Sequence, residues 1–187
     1  MLFSFQRTYR VKFAAYVFTL KKGGKEVLFC KSIKVKPLNN DNFKLYGQLV
    51  KKPERNPDAE VDTHNWWNNV ANILAEDSIS VGILQAKCRD FTVTKLEQHT
   101  RTAEMLVPLK GSSILVVGKK SLDKREIESM EAFYLGSNQV VILNVGILHF
   151  VPFPLEDEVI YAVVFRSKTP DDDLEFIEFE EDIKLVL

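Results

Sequence analysis

The sequence predicts an all-β fold, an antiparallel sandwich or barrel, from three observations. From residue 78 onward, short runs rich in Val, Ile, Phe and Tyr recur, separated by turn or charged residues. Character alternates along stretches such as DFTVTKLEQH (90–99), as it does on a pleated strand with two distinct faces. Helical periodicity is scarce, and no fixed-period repeat is visible. Many short strands at similar spacing are the raw material of sandwiches and barrels.

In chain order, Val11–Leu20 and Lys25–Val35 read as two strands joined at Gly23-Gly24. KPLNNDNFKLYGQLV (36–50) predicts an Asn/Asp-initiated helical turn, then Tyr46-Gly47 and a short strand. KKPERNPDAEVD (51–62) is a surface loop on its Pro and charge content, and HNWWNNVANILAED (64–77) fits a short helix or an irregular segment. His64 reads as a loop or packing residue, and Trp66 and Trp67 as core or dimer-interface residues. Strands follow at 79–86, 90–99, 104–109, 112–118, 131–135, 139–144, 148–153, 159–166 and 174–179, interrupted by a helix at 121–130 capped by Ser121. The acidic tail DDDLEFIEFEED (171–182) reads as an edge strand guarded by carboxylates.

Composition bounds the function. The 187 residues fit one domain, and 45% hydrophobic content sets the chain apart from disordered sequences. A net charge of −1 leaves no footprint for nucleic acid. Cys30 and Cys88 form neither a metal-finger spacing nor a disulfide framework, which suggests a reducing compartment. The apolar run Phe13–Leu20 is short, no small-residue cleavage site follows it, and no stretch approaches membrane-spanning length. A cytoplasmic location and no membrane partner are expected.

The chemistry concentrates in LEQHTRTAEMLVPLKG (96–111). Alternation puts Phe91, Val93, Lys95, Glu97 and His99 on one face, Thr100–Ala103 makes a turn, and Glu104 opens the next strand. Two carboxylates and an imidazole then converge at a barrel mouth, a ligand set suited to Mn, Fe, Ni or Zn, or else a metal-free polar pocket. The competing explanation is a solvated strand end. A second piece, NVGILHFVPF (144–153), weighs against it: Gly146 supplies a turn and His149 starts the next strand.

Together these pieces resemble the cupin family. Glu97-x-His99, four residues to Glu104 and six more to Gly111 follow the spacing of the first cupin motif, with Glu97 in place of its first His. Asn144-x-Gly146-x-x-His149 follows the second, with Asn144 in place of Pro. The resemblance implies a cupin-like antiparallel β-barrel (jelly roll) with Glu97, His99, Glu104 and His149 as metal ligands. Segment order is similar to one branch, the ureidoglycolate lyases: Phe43-x-x-Tyr46-Gly47, then Leu96-Glu97-Gln98-His99 with Pro108 downstream, then Gly146-x-x-His149. The likeness covers about 33–182, so residues 1–33 become a hairpin extension packed on a cupin-like domain at 34–187. Three positions depart from that branch: Leu148 stands where these lyases carry Trp, Glu104 where they carry Gln, and Gln85 near a frequent Arg.

The resemblance implies cleavage of ureidoglycolate, or a similar small hydroxy acid, to glyoxylate and urea. That reaction needs a base for the hydroxyl proton, an acid for the departing nitrogen and a cation for the substrate carboxylate. His99 or His149 suits the base, and Glu97 can orient an imidazole or donate the proton. Lys95, Arg101 and Arg166 are candidates for holding the carboxylate, Lys95 first because it shares the face of Glu97 and His99, and Tyr46 is a further substrate-binding candidate. A homodimer is also expected. The rival readings are a metal-dependent cupin of other chemistry, such as a sugar isomerase or dioxygenase, and a non-catalytic small-molecule-binding cupin.

Overall fold

The computed structural model describes residues 7–11, 20–22, 25–27, 32–119 and 130–187. The first strands are β1 (Arg7–Val11), β2 (Leu20–Lys22), β3 (Lys25–Val27) and β4 (Ser32–Pro37), followed by the helical turn α1 (Asn40–Phe43). Next come β5 (Gly47–Val50), β6 (Ala59–Val61), β7 (His64–Trp66), β8 (Ile79–Lys87), β9 (Thr92–Gln98) and β10 (Glu104–Lys110). Then follow β11 (Ser113–Gly118), β12 (Glu131–Leu135), β13 (Val140–Leu143), β14 (Leu148–His149) and β15 (Phe153–Pro154). The chain ends with β16 (Glu158–Arg166), α2 (Thr169–Asp172) and β17 (Glu175–Val186).

Two sheets organise these strands. The larger runs β1-β17-β4-β12-β11-β14-β9, and β17 also pairs with β9, so six strands close into a ring. The smaller runs β5-β13-β10-β16-β8. β11 is SILVVG, apolar almost throughout and buried along its whole length, because both of its faces meet a core. On one face Ile114 joins Leu96, Ala132, Leu148 and Ile183 inside the ring. On the other, Leu115 and Phe133 pack with Leu106, Val141 and Tyr161 between the sheets. Full burial of a side chain such as Phe133 stabilises the fold by about 1.5–3 kcal/mol.

The acidic tail departs from the sequence expectation. Thr169–Asp172 is a helical turn, and β17 is an internal strand between β9 on one side and β1 and β4 on the other, rather than an edge. Its alternating charges suggested a guarded edge, but pairing partners 77 to 168 residues away leave no local trace. The segment at 64–77 is β7 followed by irregular chain; Trp66 is 57% exposed, and Trp67 donates its indole N–H to the Arg55 carbonyl at 3.0 Å. His64 is an exposed residue of the small β6–β7 hairpin. Of the predicted N-terminal hairpin, β2 and β3 pair antiparallel, while residues 12–19, 23–24 and 28–31 lie outside the described residues. Ser32–Pro37 is a separate strand within the ring. The predicted helix at 121–130 lies outside the described residues except for Met130.

The predicted turn at 36–50 forms as expected. The Asn39 side chain accepts the N–H groups of Asp41 and Asn42 at 3.0 Å, and Asn42 returns the favour to the Asn39 N–H, a capping box. The turn delivers Phe43 and Tyr46 onto Phe133 as an aromatic cluster. Gly47 follows because β5 lies against β13 too closely for a side chain: a Cβ there would sit 1.9 Å from the Ile142 carbonyl oxygen.

Candidate active site

The two halves of the sequence motif meet through backbone hydrogen bonds. β9 ends at Gln98, so His99 stands at its tip, and the Thr100–Ala103 turn places Glu104 as the first residue of β10 in the facing sheet. The 144–147 turn is fastened at both ends: the Asn144 N–H donates to the Tyr46 carbonyl at 2.9 Å, and the Gly146 N–H to the His99 carbonyl at 2.6 Å. Gly146 adopts φ 77°, a left-handed conformation that favours glycine. The chain then enters β14, where His149 pairs with Glu97 of β9 and Val117 of β11. Sequence positions 97 and 149 thus become direct neighbours.

Both imidazoles are anchored in the same way. His99 Nδ1 lies 2.9 Å from the Asp173 carbonyl oxygen and His149 Nδ1 2.9 Å from that of Ile147. A carbonyl only accepts, so each Nδ1 carries the hydrogen and each Nε2 faces the cluster. There His99 Nε2 is 3.2 Å from Glu104 Oε2, and His149 Nε2 is 3.5 Å from Glu104 Oε1 and 4.0 Å from Glu97 Oε1. The rings meet edge to face with centroids 5.1 Å apart. His99, Glu104 and His149 are buried.

The electrostatics follow from this crowding. Burial pushes Glu97 above the ordinary carboxylate range, which the nearby histidines only partly oppose. Burial would raise Glu104 too, but His149 and His99 overcome it and hold this carboxyl well below its usual range. For His149, burial disfavours the charge, yet the Glu104 carboxylate dominates and raises the pKa to about 9.

With each Nδ1–H committed to a carbonyl, neutral rings would aim Nε2 lone pairs at carboxylate oxygens. A cation belongs between them, either a proton or a metal ion. The donor set fits a divalent metal: one ligand atom each from Glu97, His99 and His149 lies within 4.8 Å of the others, Glu104 touches both imidazoles, and the buried His149 Nε2 has no hydrogen-bond partner. Anchoring the second ring nitrogen to a carbonyl is also how metal-binding histidines are oriented.

The cluster forms one end of a cavity of about 240 Å³. Its remaining wall is chiefly apolar and includes Leu84, Phe150, Val163, Phe165 and Leu174. The structure therefore brings Glu97, His99, Glu104 and His149 together, but the four expected substrate-binding residues do not line the cavity. Tyr46 is 2% exposed in the inter-sheet core, its phenol pushed up to about 12 by burial and by Glu131. Arg166 is buried and ion-paired with Asp172, which also receives Arg101 at 3.1 Å. Lys95 lies over the rings of Phe176 and Phe150, 4.6 and 5.2 Å from their centroids. Two departures from the lyase pattern also fall outside the cavity wall: Leu148 is a core residue of the ring, and Gln85 bonds to Glu158 on an exposed face.

Sequence reasoning missed Asp173. Besides offering its carbonyl to His99, its buried carboxylate accepts the Thr100 N–H and hydroxyl, both at 2.8 Å, and the Arg101 N–H at 2.9 Å. It thereby clamps the turn that carries the first motif. Its only local signal was a run of three aspartates, which does not say which one is buried.

A closed all-β ring backed by a second sheet, with two imidazoles and two carboxylates at the head of a cavity, defines a cupin-like fold. A family model described as ureidoglycolate lyase matches residues 30–186. The chain belongs to the ureidoglycolate lyase family. It is similar to the ureidoglycolate lyases of Salmonella enteritidis (strain PT4), Salmonella paratyphi B and Salmonella newport. Each is 24% identical over 155 residues, covering 80% of this chain and 96% of the relative.

Proposed function

We propose that this chain cleaves ureidoglycolate, or a similar small hydroxy acid, to glyoxylate and urea. The observation that supports this reading best is the paired-imidazole, paired-carboxylate cluster at the end of an otherwise apolar cavity. A compact polar substrate can meet all its proton-transfer partners there while the apolar wall excludes water. If bound, a divalent ion held by Glu97, His99, His149 and Glu104 would act as a Lewis acid on hydroxyl and carboxylate oxygens.

With no metal on the imidazoles, the chain's own groups supply the proton movements, because a metal would take the same Nε2 atoms. His99 takes the hydroxyl proton through Nε2, its ring held by the Asp173 carbonyl. As the C–O bond becomes a carbonyl, the C–N bond breaks and its electron pair leaves with the urea nitrogen. His149, kept as imidazolium by Glu104, delivers the proton that completes urea. Glu97, held above its usual range by burial, stands 4.0 Å from His149 Nε2 as a second proton donor. No Lys or Arg lines the cavity among the described residues, so the substrate carboxylate is drawn to the cation of the cluster itself.

The test is to incubate purified protein with ureidoglycolate and follow glyoxylate and urea separately. Equimolar release, lost in His149→Ala and His99→Ala, is expected. No glyoxylate from folded protein refutes the reading, and ammonia in place of urea assigns hydrolysis of the ureido group instead.

A further inference from the structure

Ureidoglycolate and the wall of the cavity differ in chemistry. Every carbon of ureidoglycolate carries oxygen or nitrogen, yet Leu84, Phe150, Val163, Phe165 and Leu174 line the space beyond the imidazoles. Among the described lining residues, only Thr169 adds a polar side chain to those of the cluster. One hydroxyl can serve a single carbonyl oxygen, but it leaves the terminal NH2 of a ureido group facing hydrocarbon. An amide buried without its hydrogen bonds costs far more than an alkyl group of the same size.

The register of the smaller sheet places a gap in this wall. Along β8, Ser80, Gly82, Leu84 and Ala86 are less exposed than the residues between them, so this set faces inward. Strand pairing sets Leu84 beside Tyr161, and Gly82 beside Val163, which in turn pairs with Leu106. The row Leu106–Val163 therefore ends on β8 without a side chain, while the adjacent row ends on Leu84. A Cβ at Gly82 would meet nothing nearer than the Val163 carbonyl oxygen at 4.0 Å. Gly82 lines the cavity, so the missing side chain is room inside it.

Taking the lyase reading as given, we propose that the apolar wall with its gap at Gly82 is a subsite for an acyl group. The preferred substrate is then an N-acyl-2-hydroxyglycine with an aliphatic or aromatic acyl chain. The chemistry is unchanged: the hydroxyl loses its proton, the C–O bond becomes the aldehyde carbonyl of glyoxylate, and the C–N bond breaks. The electron pair stays on nitrogen, which takes a proton and leaves as a primary amide. Only the end group differs, a hydrocarbon in place of the second nitrogen of urea. The carboxylate and hydroxyl sit at the cluster, and the hydrocarbon lies along Val163 and Leu84 at the Gly82 gap.

Two compounds that lack the hydroxyl cannot be cleaved and isolate the subsite from the reaction: N-isovalerylglycine and N-carbamoylglycine. They share the carboxylate and the amide and differ only in the end group. Calorimetric titration of the wild-type chain should find the isovaleryl compound bound about tenfold more tightly, the worth of about two buried methylene groups. In Gly82→Leu the added side chain occupies the gap, and most of this preference should vanish. Should that variant misfold, Val163→Thr, which keeps the shape and adds a hydroxyl, should narrow the preference in the same direction. Equal affinities in wild type, or a preference that folded Gly82→Leu or folded Val163→Thr retains in full, overturns the proposal. Glyoxylate release from N-isovaleryl-2-hydroxyglycine and from ureidoglycolate is then compared, and kcat/KM should be higher for the acyl substrate. Cleavage of ureidoglycolate alone overturns the proposal and upholds the lyase reading. A binding preference with no glyoxylate from either substrate refutes the lyase reading and upholds the subsite.

Discussion

Replacing Asp173 with alanine removes a clamp rather than a group that meets substrate. Asp173 is 5% exposed, and its carboxylate accepts bonds of 2.8, 2.8 and 2.9 Å from Thr100 and Arg101. Hydrogen bonds to a charged group contribute about 1.5–3 kcal/mol each, but water entering the vacated space restores part of that. A net loss of about 3 kcal/mol follows, or roughly 10 °C in Tm for a chain of this size. The turn that relaxes carries His99, and a displacement of about 1 Å at a reacting group costs on the order of 100-fold in rate. Thermal melts and lyase kinetics should therefore show a lower Tm and a kcat reduced about 100-fold, with KM changed far less. Asp173→Asn keeps an oxygen for Thr100 but turns a donor toward the Arg101 N–H, so it should recover about half of both losses. Asp171→Ala, on the exposed side of the same helical turn, should stay within about 0.5 kcal/mol of wild type. An unchanged Tm in Asp173→Ala, or a fallen Tm with full kcat, would refute this reasoning.

Three further outcomes are expected. Purified protein dialysed against a divalent metal should retain about one ion per chain by elemental analysis, and His149→Ala should lose it, because the cluster then keeps one imidazole; equal retention in the variant argues against this site. In chelator-treated protein, stability should fall as pH rises from 6.5 toward 9. His149 binds its proton more tightly when folded, so its contribution is complete below pH 6.5 and lost by about pH 9, up to about 3 kcal/mol. Denaturant titrations across that range check the sign, and stability that rises with pH contradicts it. Gly47→Ala should cost about 1–3 kcal/mol or more, because its Cβ meets the Ile142 carbonyl at 1.9 Å and β5 must shift to admit it; a wild-type melting curve would show that the strand gives way easily.

The sequence by itself determined the features whose physics is local. Alternation along 90–99 put Glu97 and His99 on one face, the four-residue turn put Glu104 at the start of the next strand, and Gly146 marked a tight turn before His149. The Asn/Asp-initiated turn and the apolar run of β11 were legible for the same reason, since capping and burial pattern depend on residues within a few positions. Tertiary structure decided everything that depends on a distant partner. It made β17 an internal strand by pairing it with β9 and β4, although its own charges suggested an edge. It also separated residues of similar type into different roles. Arg166 and Arg101 hold Asp172, Tyr46 fills a core, and Asp173, one of three adjacent aspartates, is buried where it can fix the first motif. A side chain's type and spacing set what chemistry it can perform, but whether it meets water, substrate or a counter-charge is set by which strand comes to lie beside it.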